Sequence, residues 1–211
     1  FGVFLGGTGG FVSTSGSGNI TITGNGGNLS GSGTVNHGVN ISGTNSFVKT
    51  TGTGNISITG TRGGQTSSLG FSTDIINAVV TSGTVGNVTI LSDTFGLSGA
   101  GGATYNITSV GNLIIAPLTN ITMGLGAGAG TLSLSNTYLG SINAASYTFG
   151  AVGAGDVSVD TTKNFGTASV SFLSGGNIYL SNTIAATGGI SFNAPVILSA
   201  ATALNAGTGT L

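Results

Sequence analysis

Charge is what this chain has least of. Its 211 residues include three Lys or Arg and four acidic side chains, so 3% are charged, against roughly 25% in an ordinary globular domain. Affinity for a phosphate backbone comes from clustered cations. Here Lys49, Arg62 and Lys163 are scattered, which excludes nucleic acid as a main partner. Four acids cannot supply successive calcium sites, and the Gly-Gly-x-Gly-x-Asp calcium repeat is absent. There is no cysteine, which excludes disulfides, thiolate metal ligands and a thiol nucleophile, and leaves the redox compartment open. No stretch approaches the roughly 18 apolar residues of a membrane helix. No cationic start with an apolar run marks a secretory signal. The chain opens at Phe1 and closes at Leu211 in mid-pattern, as expected of a processed product or a segment of something longer.

Glycine and apolar residues fill the space that charge leaves. There are 42 glycines, and 38% of residues are hydrophobic, so this is not a charge-extended disordered chain. Gly18-Asn19-Ile20-Thr21-Ile22-Thr23 returns as Gly54-Asn55-Ile56-Ser57-Ile58-Thr59 and as Gly86-Asn87-Val88-Thr89-Ile90-Leu91. Later echoes begin at Gly111, Gly155 and Gly176. Ile20 and Ile22 share one face of a strand and Thr21 and Thr23 the other, because side chains alternate with period two. Apolar/hydroxyl alternation flanked by glycine predicts a half-buried strand. Helix is disfavoured throughout, because glycine and β-branched residues are frequent and no 3.6-residue period persists.

The first three copies extend beyond the phrase. Gly2, Gly38 and Gly70 each stand 16 residues before the phrase glycine, followed by Val3, Val39 and Phe71. Phe11-Val12, Phe47-Val48 and Val79-Val80 lie midway. The copies are offset by 36 and then 32 residues. Each is read as two coils of a stacked repeat, so that residues 1–92 hold longer two-coil repeats and 93–211 single-coil repeats of one domain. The fold class expected is all-β, a right-handed parallel β-helix (β-solenoid) of about 10 coils, roughly 50 Å long at the strand spacing of about 4.8 Å. The Asn after the phrase glycine, at Asn19, Asn55, Asn87, Asn112 and Asn177, predicts a partial structural ladder at one corner.

The phrases at 18–24, 54–60, 175–180 and 188–193 resemble the β-strand-repeat segments of large bacterial surface exoproteins of the filamentous-haemagglutinin type, which are two-partner-secreted adhesins. The resemblance implies a right-handed β-helical shaft, an extracellular or cell-surface location, and a role in length and display. The secretion domain of that family would precede such repeats, and nothing in this chain is assigned to it.

No residue pattern points to catalysis. His37, the single histidine, lies in Asn36-His37-Gly38 with no carboxylate near in sequence, and reads as a turn residue. Asp156 and Asp160 are four apart in one strand phrase, roughly 13 Å at about 3.3 Å per residue, too far for a paired acid/base mechanism. Asp156 fills the Asn position of the repeat. Gly124 to Gly130 matches a relaxed dinucleotide fingerprint, but Thr131-Leu132-Ser133-Leu134-Ser135 reads as a strand where that motif needs a helix. A flexible loop or tight corner is expected there. Sequons at Asn19, Asn28, Asn40, Asn55, Asn87, Asn106 and Asn120 exceed chance only slightly. The threonine pairs Thr21/Thr23 and Ser57/Thr59 resemble ice-binding rows, but fail at Thr89/Leu91 and at Ser158/Asp160.

The expectation is therefore an extracellular structural protein, not an enzyme, with no metal or cofactor. Its alternatives are a self-polymerising filament subunit assembling end to end, and an ice- or carbohydrate-binding solenoid. Partners expected are the remainder of a longer chain or a second copy at both ends, and a host or neighbouring cell surface, with no membrane span.

Overall fold

The computed structural model describes residues 1–27, 36–43, 45–64, 68–73, 79–97 and 106–210, without the side chains of 72, 73 and 79. The first strands are β1 (Val3–Leu5), β2 (Phe11–Thr14) and β3 (Ile20–Asn25). The next three are β4 (Val39–Ile41), β5 (Phe47–Thr50) and β6 (Ile56–Thr61), followed by β7 (Phe71–Thr73), β8 (Val79–Thr81) and β9 (Val88–Ser92). Pairing is parallel and joins like to like. Val3 lies beside Val39 and Val39 beside Phe71; Val12 beside Val48 and Val48 beside Val80; Ile20 beside Ile56 and Ile56 beside Val88.

These pairing offsets equal the 36- and 32-residue offsets of the sequence copies. Each copy therefore supplies one strand to each of three stacks, where the sequence reading divided it into two coils. The reason is that Gly2 and Gly18 open similar apolar strands. Two faces of one unit and two successive coils look alike in sequence.

The pattern then changes. β10 (Phe95–Leu97) extends the first stack beside β7. β11 (Ile107–Ala116) is a single strand that serves both other stacks: Ile107 pairs with Val80 and Leu113 with Val88. β12 (Met123–Gly126) and β13 (Leu132–Leu134) follow, then a short helix, α1 (Asn136–Gly140), and β14 (Ile142–Gly150). β14 runs along both halves of β11, with a register shift between Ser109 and Asn112. The rest is β15 (Val157–Asp160), β16 (Ser169–Leu173), β17 (Ile178–Leu180), β18 (Ile184–Ala185), β19 (Ile190–Phe192), β20 (Val196–Leu198) and β21 (Leu204–Asn205). Partners now recur at shorter offsets, as in Val157 with Ile178 and Ile178 with Val196.

One sheet runs β13-β12-β15-β17-β20, and β13 lies against β10. The chain thus reaches β12 first and returns to β13, which fills the position between β10 and β12. The helix, where the sequence disfavoured any, follows that return. Ser135 caps it by accepting the Tyr138 N–H, and Leu139 is buried beneath it. Among the described residues every strand pair is parallel and no sheet closes into a barrel. This all-β arrangement is compatible with a solenoid.

The core is a set of columns. Ile20, Ile56, Val88, Leu113, Tyr147, Val170 and Ile190 stack along the β3 face, beside Ile22, Ile58, Ile90, Ile115, Phe149, Phe172 and Phe192. All but Phe192 are buried. In the other sheet Leu132, Leu134, Val157, Val159, Ile178 and Leu180 are buried too. These are the inward positions that strand alternation assigns. Full burial of one such side chain is worth about 1.5–3 kcal/mol.

Candidate functional face

The recurring phrase builds its corner from the backbone upward. A Cβ on Gly54 would strike the carbonyl oxygen of Gly18, and one on Gly86 would strike that of Gly54. Only glycine lets successive units approach so closely at this point. The residue after each glycine then caps the unit that follows it. The Asn19 Oδ1 accepts the Asn55 N–H at 2.8 Å, the Asn55 Oδ1 accepts the Asn87 N–H at 2.8 Å, and the Asn87 Oδ1 accepts the Asn112 N–H at 2.8 Å. At Asn112 the run turns sideways: its side chain bonds the Ser146 and Thr148 hydroxyls. Asn177 stands elsewhere, in the sheet of β15 and β17, where its N–H is accepted by the Asp156 Oδ1 at 2.8 Å. A carboxylate oxygen does there what the amide oxygen does at the other corner.

Sequence reasoning missed a second column beside this one. Thr50, Ser82 and Ser109 turn inward and are buried. The Thr50 hydroxyl donates to the Gly54 carbonyl and accepts the Gly83 N–H. Ser82 accepts the Val110 N–H, and Ser109 donates to the Gly86 and Asn112 carbonyls. The signal was present: a hydroxyl residue stands four before the phrase glycine in Thr14/Gly18, Thr50/Gly54 and Ser82/Gly86.

Outside, the β3 face carries a row of Thr21, Ser57, Thr89, Ile114, Thr148, Ser171 and Ser191. Only Ile114 interrupts the hydroxyls. The neighbouring row, Thr23, Thr59, Leu91 and Ala116, loses them from Leu91 onward. Ser158 and Asp160 belong to the other sheet, so they do not interrupt this row. At its far end an open cavity of about 310 Å³ is lined by Ser169, Ser171, Ser191, Gly188, Gly189 and Thr210, with Val170 and Ile190. The Ser171 and Ser191 hydroxyls bond each other at 2.7 Å. The lining offers hydroxyls and backbone groups, and no titratable side chain.

The described ionisable residues lie apart from it. His37 is buried; its Nδ1 accepts the Leu69 N–H at 2.8 Å, and the Phe1 ring lies tilted against it with centroids 5.6 Å apart. It ties one unit to the next. Asp93 clamps a corner, accepting the Leu118 and Thr119 N–H groups and the Thr119 hydroxyl. Asp160 accepts from the Asn182 amide at 3.2 Å. Lys163 is half-buried, its Nζ donating to the Ile142 carbonyl at 3.2 Å and lying 5.5 Å from the Tyr147 ring centre. Burial pulls its pKa below the ordinary value. Among the described residues no three of His, Asp or Glu gather where they could share a metal ion. No described helix is long and apolar enough to cross a membrane.

The Gly124 to Gly130 segment is a crossover between two parallel strands, β12 and β13. A Cβ on Gly130 would meet the Gly124 backbone and one on Gly128 the Ser158 carbonyl oxygen. The glycines serve close backbone packing, and a strand follows them. Of the sequon residues, Asn40 and Asn106 are buried, Asn120 is exposed, and Asn28 falls outside the described residues.

Compared with known proteins, the chain matches no family model, no curated protein and no solved structure.

Proposed function

We propose that the chain is a right-handed parallel β-helix serving as an extracellular structural element, the shaft of a surface adhesin or matrix fibre. The observation that carries this reading is the use of the repeat. Its glycine, Asn and alternating apolar positions each meet the same position of the next unit, through hydrogen bonds or packing. The sequence is spent on stacking, and stacking yields length. The outward row of the β3 face is mostly hydroxyls, which hydrate the surface without titrating. Asp93, Asp156 and the buried histidine are engaged in holding corners.

Antibody labelling of intact cells that make the protein tests the location. Surface label without permeabilisation is expected. Label that appears only after permeabilisation would overturn the extracellular role.

A further inference from the structure

The phrase that recurs three times presents the same outward groups each time. Thr21 and Thr23 on β3 stand beside Ser57 and Thr59 on β6, and Ser57 stands beside Thr89 on β9. Among the described residues these five hydroxyls make no hydrogen bond. Elsewhere in the fold hydroxyls are spent on the backbone, as at Thr50, Ser109 and Ser174. At the adjoining corner the Oδ1 atoms of Asn19, Asn55 and Asn87 serve the ladder, while their Nδ2 groups bond nothing among the described residues. Each of three rungs therefore offers an amide donor and one or two hydroxyls. Along a strand these stand about 7 Å apart, and the next rung lies about 4.8 Å away.

The array is not hydroxyl throughout. Leu91 takes the place of Thr23 and Thr59, and Ile114 the place of Thr89 on the next strand. Both are half-buried, and they occupy diagonal positions of neighbouring strands, within side-chain reach of each other. Beyond them Thr148, Ser171 and Ser191 resume the row. No strand of this face carries a charged residue; Arg62 and Asp93 follow β6 and β9 at its margin. A ligand that fits is uncharged, repeats along its length, and carries hydroxyls around an apolar surface. A pyranose ring has this character, with hydroxyls at its rim and C–H groups on its faces. An anionic polymer would lose hydration here and find no ion to pair with. Ice needs a regular two-dimensional lattice, and the second row loses its hydroxyls at Leu91 and Ala116.

We infer that the β3 face binds a neutral, unbranched polysaccharide lying along the row, with sugar hydroxyls on the Asn, Thr and Ser side chains of the three rungs and a ring face over Leu91 and Ile114. Six pairing steps separate Thr21 from Ser191, about 29 Å at the strand spacing, which is room for several sugar rings. Each contact is weak, and their repetition along one polymer supplies the affinity. The inference goes beyond the structural role and is independent of where the chain resides. It needs only the pairing register of this face.

A pull-down of the purified chain on insoluble cellulose, mannan and chitin, with alginate as the anionic counterpart, tests it. Retention by at least one neutral polymer and none by alginate is expected. The triple variant Thr21→Val/Ser57→Ala/Thr89→Val should bind about tenfold more weakly or worse, the loss of two or three hydrogen bonds, with an unchanged urea midpoint. Asn55→Asp keeps the acceptor oxygen of the ladder, as Asp156 does for Asn177. It removes the amide donor and adds a charge, so it should weaken retention while the fold stands. Ser133→Ala, at an exposed hydroxyl on the other sheet, should bind as the parent chain does. Retention by no neutral polymer, equal retention by alginate, or undiminished binding by the triple variant would overturn the inference. Thermal hysteresis that the triple variant loses would overturn it too, by assigning the face to ice.

Discussion

Gly54 occupies a point where a methyl group has nowhere to go, since its Cβ would strike the Gly18 carbonyl oxygen. Gly54→Ala should cost about 1–3 kcal/mol, the usual penalty of overpacking, seen as a lowered urea midpoint. Asn55 next to it works through one oxygen, which accepts the Asn87 N–H. Asn55→Ala should lose about 0.5–1.5 kcal/mol, the net worth of such a bond. Asn55→Asp should lose less, because Asp156 already fills the equivalent role for Asn177. Ile56 is fully buried, and Ile56→Ala should cost about 2–5 kcal/mol in the same denaturation experiment. Thr21, exposed opposite it, should tolerate Ala within about 0.5 kcal/mol. Lys163 gives a pH signature. Its folded pKa lies below the ordinary 10.5, so at pH values between the two the unfolded chain holds a proton that the folded chain has released. Stability should therefore rise with pH across that window and level off above 10.5. Lys163→Met should flatten the rise, measured by urea midpoints over a pH series.

At the scale of elements, legibility follows the regularity of the chain. The strands β3, β6, β9, β15 and β17 could be read in advance, because alternation of Ile, Val or Leu with Thr or Ser fixes both their existence and their inward face. Strands β1, β4 and β7 were visible as apolar residues after Gly2, Gly38 and Gly70. Their grouping was not, because spacing alone does not distinguish three faces of one unit from successive coils. The return from β12 to β13 was illegible for another reason. It depends on backbone contacts between Gly124, Gly128, Gly130 and Ser158, residues far from informative as letters. The helix α1 was missed because five residues are too few to establish a period. Hydrogen exchange should follow the same hierarchy. Strands paired on both sides, such as β6 and β14, should exchange slowest, and β20 and β21, paired on one side, fastest. Uniform exchange along the chain would contradict it.

Across the whole molecule, the candidate face was legible in part. The Asn positions were evident from repetition. Their division between two corners, and the inward hydroxyl column beside them, needed the pairing register. The central claim is that each 32- to 36-residue copy adds one strand per face, so length grows slowly with sequence. A spin-label distance tests it most directly. Thr21 and Ser171 lie on one outward row, separated by five successive pairings through Ser57, Thr89, Ile114 and Thr148. Labels on Thr21→Cys and Ser171→Cys should show a single separation near 24 Å, from five steps of about 4.8 Å. A distribution centred at about 40 Å or beyond, which two coils per copy would give, would contradict the account.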